Sequence, residues 1–109
     1  MNAQQFHFAP GEGDRAPVVT ACGDIDLANV GELQEVIACA MVAANAVTLD
    51  LTAVTYCDSS TVRALFDAAA TTQVTIVIAD DSAVRTLLSI SGLDRVANVI
   101  TANRGQSPA

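Results

Sequence analysis

The chain has 109 residues, enough for one hydrophobic core and not for two. Apolar residues make up 51% of it and aromatics only 4%, so Val, Leu, Ile and Ala must build that core. The formal net charge is −7, and the five basic residues, Arg15, Arg63, Arg85, Arg95 and Arg104, form no run. Binding to nucleic acid or directly to an anionic membrane surface is therefore not expected, whereas a protein partner with a basic patch suits the charge.

The opening stretch, MNAQQFHFAPGEGDR, lacks both the charged and the apolar regions of a signal peptide. The longest nearly continuous apolar stretch, Val36–Ala44, is far too short to span a bilayer, so a cytoplasmic protein is expected. Cys22, Cys39 and Cys57 are odd in number and lack paired spacing, as expected of reduced thiols.

In chain order, QFHFA (Gln5–Ala9) alternates, with Phe6 and Phe8 on one face and His7 on the other. PGEG (Pro10–Gly13) turns the chain, and PVVTACG (Pro17–Gly23) reads as a second strand that forms a hairpin with the first. Asn29 and Glu32 have the spacing of a capping box, and Leu33, Ile37, Ala40, Met41 and Ala44 follow at helical spacing. The late half of this helix, ACAMVAA, is apolar almost all round. AVTLDLT (Ala46–Thr52) reads as a third strand, with Val47, Leu49 and Leu51 pointing one way and Thr48 and Asp50 the other. Such alternation predicts a sheet with one face free of helices.

Val62, Leu65, Phe66 and Ala69 then mark an amphipathic helix, and VTIVIA (Val74–Ala79) a central strand. A third helix starts near Ser82 and carries Val84, Leu87 and Leu88 inward. Gly92, left-handed after its last turn, and Leu93, folding back on Leu88, supply the stop. RVANVI (Arg95–Ile100) is the last strand, and Ala102–Ala109 a polar tail. The expected fold is α/β, a mixed β-sheet with helices mainly on one face in the order β-β-α-β-α-β-α-β. Residues 1–109 form one domain, with an ordered core of about 5–101.

Chemistry concentrates in TYCDSSTVRAL (Thr55–Leu65). Asp58, Ser59 and Ser60 are first of all candidate helix caps. They also follow a strand, and a helix N-terminus at that place favours anions and phosphate. A second acidic segment, GDID (Gly23–Asp26), follows a strand as well. Serine hydrolysis lacks a base, because His7 is the only histidine and sits on an edge strand. A phospho-aspartate receiver uses a lysine, and the chain has none. No phosphate-binding glycine loop and no metal-ligand spacing is present, so neither enzymatic activity nor a cofactor is expected. Cys22 and Cys57 each precede an acidic segment and form a candidate redox pair if those segments adjoin.

GDIDLANVGEL, VTLDLTAVTYCDSSTVRAL and SAVRTLLSISGL, in this order and spacing, resemble the STAS domain, particularly the stand-alone anti-sigma factor antagonists of bacteria. The resemblance covers about residues 5–101 and implies the two-layer STAS fold. It also implies a non-enzymatic regulator that, when unphosphorylated, binds an anti-sigma factor with serine kinase activity and so releases a sigma factor. Phosphorylation switches such a protein off and a serine phosphatase resets it. Residue by residue, the resemblance puts the phosphoacceptor at Ser59 and partner contacts at Asp24, Asp26, Asp58, Ser60, Thr61 and Arg63. Thr61 stands where glycine is common in the family and Arg63 where a small residue is common. Thr61 adds a branched side chain and a further hydroxyl where a kinase must approach. The same resemblance allows a second role, an accessory subunit of a membrane transport complex that docks without phosphorylation.

Overall fold

Alternating apolar side chains in the strands give the sheet one face that must be covered and one that need not be. The computed structural model describes residues 5–42, 44–80 and 82–102. Its elements are β1 (Phe6–Ala9), β2 (Val18–Ile25), α1 (Val30–Ala40), β3 (Ala46–Cys57), α2 (Ser59–Thr71), β4 (Gln73–Ala79), α3 (Ala83–Ser91), a short 3-10 turn (Leu93–Arg95) and β5 (Asn98–Ala102). The strand order is β1-β2-β3-β4-β5. β1 pairs antiparallel with β2, as the predicted hairpin requires, and the remaining pairings are parallel. Each parallel step moves one strand along in the same direction. Right-handed crossovers then put α1, α2 and α3 on one side of the sheet.

The covered face holds Val19, Ala21 and Ile25 of β2, Val47, Leu49 and Leu51 of β3, and Val74, Ile76 and Ile78 of β4, all buried. They pack in one cluster with Leu33 and Ile37 of α1, Leu65 of α2 and Leu88 of α3. The open face carries Thr20, Thr48, Asp50, Thr52 and Thr75, half-buried, in the alternate positions. Asp50 accepts from the Thr52 N–H at 3.0 Å and from its hydroxyl at 2.7 Å, so its charge is partly met on the sheet itself. Gly92 ends α3 in the left-handed region, φ 81°, and Leu93 turns inward to join Leu88 in the core, as its stop signal predicts.

Several boundaries differ from the sequence reading. β3 does not stop at Thr52 but runs to Cys57. The added residues pair with the end of β2, through Cys22↔Ala53, Gly23↔Val54, Asp24↔Tyr56 and Ile25↔Cys57, after two register shifts. Gly23, at φ 74°, supplies the backbone freedom for this irregularity. The shifts break the two-residue period, leaving Val54 and Cys57 buried and Ala53, Thr55 and Tyr56 exposed, so the strand is not visible in the pattern. Asp24 and Ile25 accordingly extend β2 beyond Gly23, where the sequence reading ends it.

α1 ends at Ala40, with Val42 84% exposed, so the apolar stretch after it is not continuous helix. Nor does Asn29 form a capping box. Its side chain turns back to accept from the Asp26 N–H at 2.9 Å. The last strand begins at Asn98 instead of Arg95, because Leu93–Arg95 is drawn into the 3-10 turn behind Gly92. Ala102 belongs to β5; the rest of the predicted tail, residues 103–109, lies outside the described residues.

Leu65 and Arg63, two residues apart on α2, test which face is covered. Leu65→Ala lowers unfolding stability by about 2–5 kcal/mol, and exposed Arg63→Ala by no more than about 0.5 kcal/mol. A urea titration of both variants checks this.

Candidate functional site

The parallel pairing of β2 and β3 ends at Ile25 and Cys57, so both chains leave the sheet side by side. From Ile25 the chain turns through Asp26–Asn29 into α1, and from Cys57 it passes through Asp58 directly into α2. The Ile25 carbonyl joins the two exits. It accepts the Asp58 N–H at 3.3 Å and the Thr61 hydroxyl at 3.4 Å.

Asp58 caps α2, accepting from the Ser60 N–H at 3.0 Å and the Ser60 hydroxyl at 2.5 Å. Its carbonyl takes the Thr61 and Val62 N–H groups. The Ser60 hydroxyl, together with the N–H groups of Ser60, Thr61 and Leu27, holds the Asp58 carboxyl below the usual carboxylate range, with partial desolvation opposing. Just below it Cys57 is buried. Burial, and then the Asp58 charge, push its thiol up to about 11.

The three hydroxyls of the helix start are thus in different states. Ser59 opens α2, is exposed and makes no side-chain hydrogen bond among the described residues. Ser60 is tied to Asp58. Thr61 is fully buried, 0% exposed, and bonded to the Ile25 carbonyl. The expectation that Thr61 meets a partner is therefore corrected: its branched side chain fills the joint between α2 and β2, and its hydroxyl is sealed within it.

Asp24 and Asp26 stand at the neighbouring strand end, as expected, but both are engaged within the chain. Asp24 accepts from the Thr55 hydroxyl at 2.7 Å, and Asp26 from the Ala28 N–H at 3.0 Å. Gln5 and Asn29, which sequence reasoning did not assign to the site, brace this segment. The Gln5 amide donates to the carbonyls of Cys22 (3.0 Å) and Asp24 (2.6 Å). The Asn29 amide donates to the Asp24 carbonyl (2.9 Å) and to the Gln5 side-chain oxygen (3.2 Å). Asp26 and Asn29 have the spacing of a local side-chain turn, the one signal that marks this brace in the sequence. Gln5 carries none, since its partner lies a strand away.

Asp58, Ser59, Ser60 and Arg63 line an open groove of about 860 Å³ between the start of α2 and the turn into α1. Leu27, Val30, Val62 and Phe66 supply its apolar surface, and Gln34 and Asp67 complete the lining. Leu27, 79% exposed, stands at its edge. Asp24 and Asp26 lie outside the groove lining. Among the described residues no group of three His, Cys, Asp or Glu side chains could hold a metal ion, and no helix is long and apolar enough to cross a membrane.

The candidate redox pair is not formed. Cys22 sits opposite Ala53 and Cys57 opposite Ile25. Three to four strand residues separate the thiols, about 10–13 Å at the rise of a strand, against the roughly 7 Å a disulfide spans.

Thiol labelling should reflect the burial. Exposed Cys39 reacts first with an alkylating reagent at neutral pH, whereas Cys57 reacts at a comparable rate only in denaturant. Time-resolved mass spectrometry reads both rates. The cap gives a second expectation. Because the folded Asp58 pKa is depressed, its contribution is complete above the unfolded value near about 3.9 and disappears as pH falls through the folded value. The stability difference between wild type and Asp58→Ala therefore shrinks on acidification, measured as paired thermal melts at descending pH.

A family model described as "Mlab, STAS domain" matches residues 8–101. Among solved structures, the chain resembles an anti-sigma factor antagonist from Mycobacterium paratuberculosis, with a TM-score of 0.74 at 21% identity over 92% of this chain and 90% of that one. It also resembles the anti-sigma factor antagonist SpoIIAA in its unphosphorylated form, with a TM-score of 0.67 at 18% identity over 91% and 89% of the two chains. An uncharacterized protein with a SpoIIAA-like fold from Shewanella loihica follows, with a TM-score of 0.56 at 10% identity over 94% and 90%. No curated protein matches the sequence significantly. With strand order, helix placement and a family match over nearly all of its length in agreement, the chain belongs to the STAS domain family.

Proposed function

We propose that this protein is an anti-sigma factor antagonist that binds an anti-sigma factor with serine kinase activity while unphosphorylated, and is switched off by phosphorylation of Ser59. One observation carries the assignment: of the three adjacent hydroxyls at the start of α2, only Ser59 is both exposed and unengaged among the described residues. In the transfer, the Ser59 oxygen takes the γ-phosphoryl group of ATP, ADP leaves, and the hydroxyl proton passes to a base on the kinase. A serine phosphatase reverses the change by hydrolysis, in the cytoplasm.

The electrostatics explain how so small a change acts as a switch. A phosphate at Ser59 adds about −1.5 to −2 charges near pH 7. Its attraction to the N-terminus of α2 is worth about 0.3–1 kcal/mol when exposed, and the neighbouring Asp58 carboxylate opposes it. The domain itself therefore barely responds. At an interface the same group must be desolvated beside an acid, which costs several kcal/mol and lowers affinity about a hundredfold or more. Phosphorylation thus blocks docking without remodelling the fold.

The test uses Ser59→Ala and Ser59→Glu as baits in lysate of the source cells. Ser59→Ala retains an ATP-dependent kinase, and Ser59→Glu, with less charge and a different shape than phosphoserine, retains it only in part. Incubation of the wild type with that kinase and ATP places the phosphate on Ser59 by mass spectrometry. Phosphate on Ser60 overturns the residue assignment. Equal capture of a transporter ATPase by both baits replaces the proposal with the docking-subunit role.

Partner contact at Arg63 gives a separate expectation. Arg63 is exposed on the groove, so Arg63→Glu weakens capture by about tenfold while the melting temperature stays near that of the wild type. Titration calorimetry with the captured kinase reads the affinity.

A further inference from the structure

One face of α2 lines the groove at the start of that helix. Ser59, Val62, Arg63, Phe66 and Asp67 recur at the spacing of successive turns, and all of them reach the groove. Ser59 and Arg63 are therefore neighbours on the helix surface, with about 5–6 Å between their Cβ atoms. Both are exposed. Among the described residues the charged side chains of the lining are Asp58, Arg63 and Asp67, so Arg63 is its one cation.

Arg63 has no internal task. Arg85 pairs with Asp80 at 3.1 Å, whereas Arg63 makes no ion pair and no side-chain hydrogen bond among the described residues. Asp67, one turn further on, does not engage it. Helix electrostatics favour an acid N-terminal to a base at this spacing, and Arg63 followed by Asp67 is the reverse order. On the favoured side of Arg63 stands Ser59, which is neutral before modification. Ser60 is three residues from Arg63, but its hydroxyl donates to Asp58. A phosphate on Ser59 creates the favoured order, and it brings about −1.5 to −2 charges where Asp67 carries a single one.

With Ser59 as the phosphoacceptor, the reading on which this rests, we propose that Arg63 binds the Ser59 phosphate within the same chain. Its guanidinium folds back one turn along α2 and pairs with two of the phosphate oxygens. A guanidinium is planar, and its fork of N–H donors matches two such oxygens. The Asp58 carboxylate is already taken up by the Ser60 hydroxyl and by N–H groups, so it does not compete for Arg63. Phosphorylation then changes the groove twice. It adds negative charge beside Asp58, and it withdraws the cation that an acidic group of a partner would meet. The backbone of α2 stays as it is, because only one exposed side chain moves.

Phosphoserine incorporated at position 59 during translation of the full chain supplies the probe without any kinase. Failure of the kinase assignment and failure of the pair are thus read separately. A ³¹P titration at low salt follows the second ionisation of the phosphate, ordinarily near about 6. In the wild type it lies below that of Arg63→Gln by roughly 0.3, and Arg63→Lys falls between them. Arg15→Gln, before the start of β2 and so at the other end of the sheet, titrates as the wild type does. In ¹H–¹⁵N spectra the Arg63 Nε–H signal moves downfield and exchanges more slowly when Ser59 carries phosphate. Equal titration of wild type and Arg63→Gln overturns the proposal, and so does an Arg63 Nε–H signal that the phosphate leaves unmoved.

Discussion

The Ile25 carbonyl is the point on which the site depends. It lies at the last paired position of β2 and accepts from both the Asp58 backbone and the Thr61 side chain. Through these bonds the end of one strand holds the first turn of a helix that follows a different strand. The bonds exist because β3 continues to Cys57 through a register shift that Gly23 permits. A buried carbonyl must find donors, and here the donors orient Ser59 outward. Thr61 therefore has a structural reason to stand where a glycine would leave the joint unfilled.

Around that joint, polar groups are divided between those spent on structure and those left for contact. Asp24, Asp26, Asp58 and Ser60 are all bonded within the chain, and Gln5 and Asn29 brace the turn from the other side. Ser59 and Arg63 remain exposed on the groove, beside the apolar surface of Leu27, Val62 and Phe66. A rigid frame with few free groups suits a recognition surface, since little conformational entropy is lost when it docks. It also makes a single added charge conspicuous, because no neighbouring cap needs to rearrange to receive it.

The one-sided winding of the sheet has a second consequence. With all three helices on one face, the other face and both edges stay at the surface. Threonines and the self-satisfied Asp50 keep that face compatible with water, and α1 fences β1 with glutamates. Among the described residues β5 carries neither device: Asn98–Ala102 has no charged side chain.

Much of this was legible in the sequence. Val47, Leu49 and Leu51 alternate in a strand covered on one face, Gly92 with Leu93 is a local stop signal, and Asp58 is a preferred cap; each rests on neighbours within a few residues. Element order and the one-sided sheet follow from such local patterns, whereas the choice of Ser59 among its neighbours came from the resemblance to the STAS domain and not from the pattern. What remained hidden depends on contacts between distant segments. The end of β3 is a strand only because β2 lies beside it, and its broken alternation conceals the fact. Thr61 looks like a free hydroxyl until Ile25, far away in the chain, is brought against it. Cys22 and Cys57 look equivalent beside their acidic segments until the strand register separates them. Short-range preference determined the elements and the start of α2. Burial and register, which arise only when remote strands pair, decided which of its hydroxyls faces the solvent.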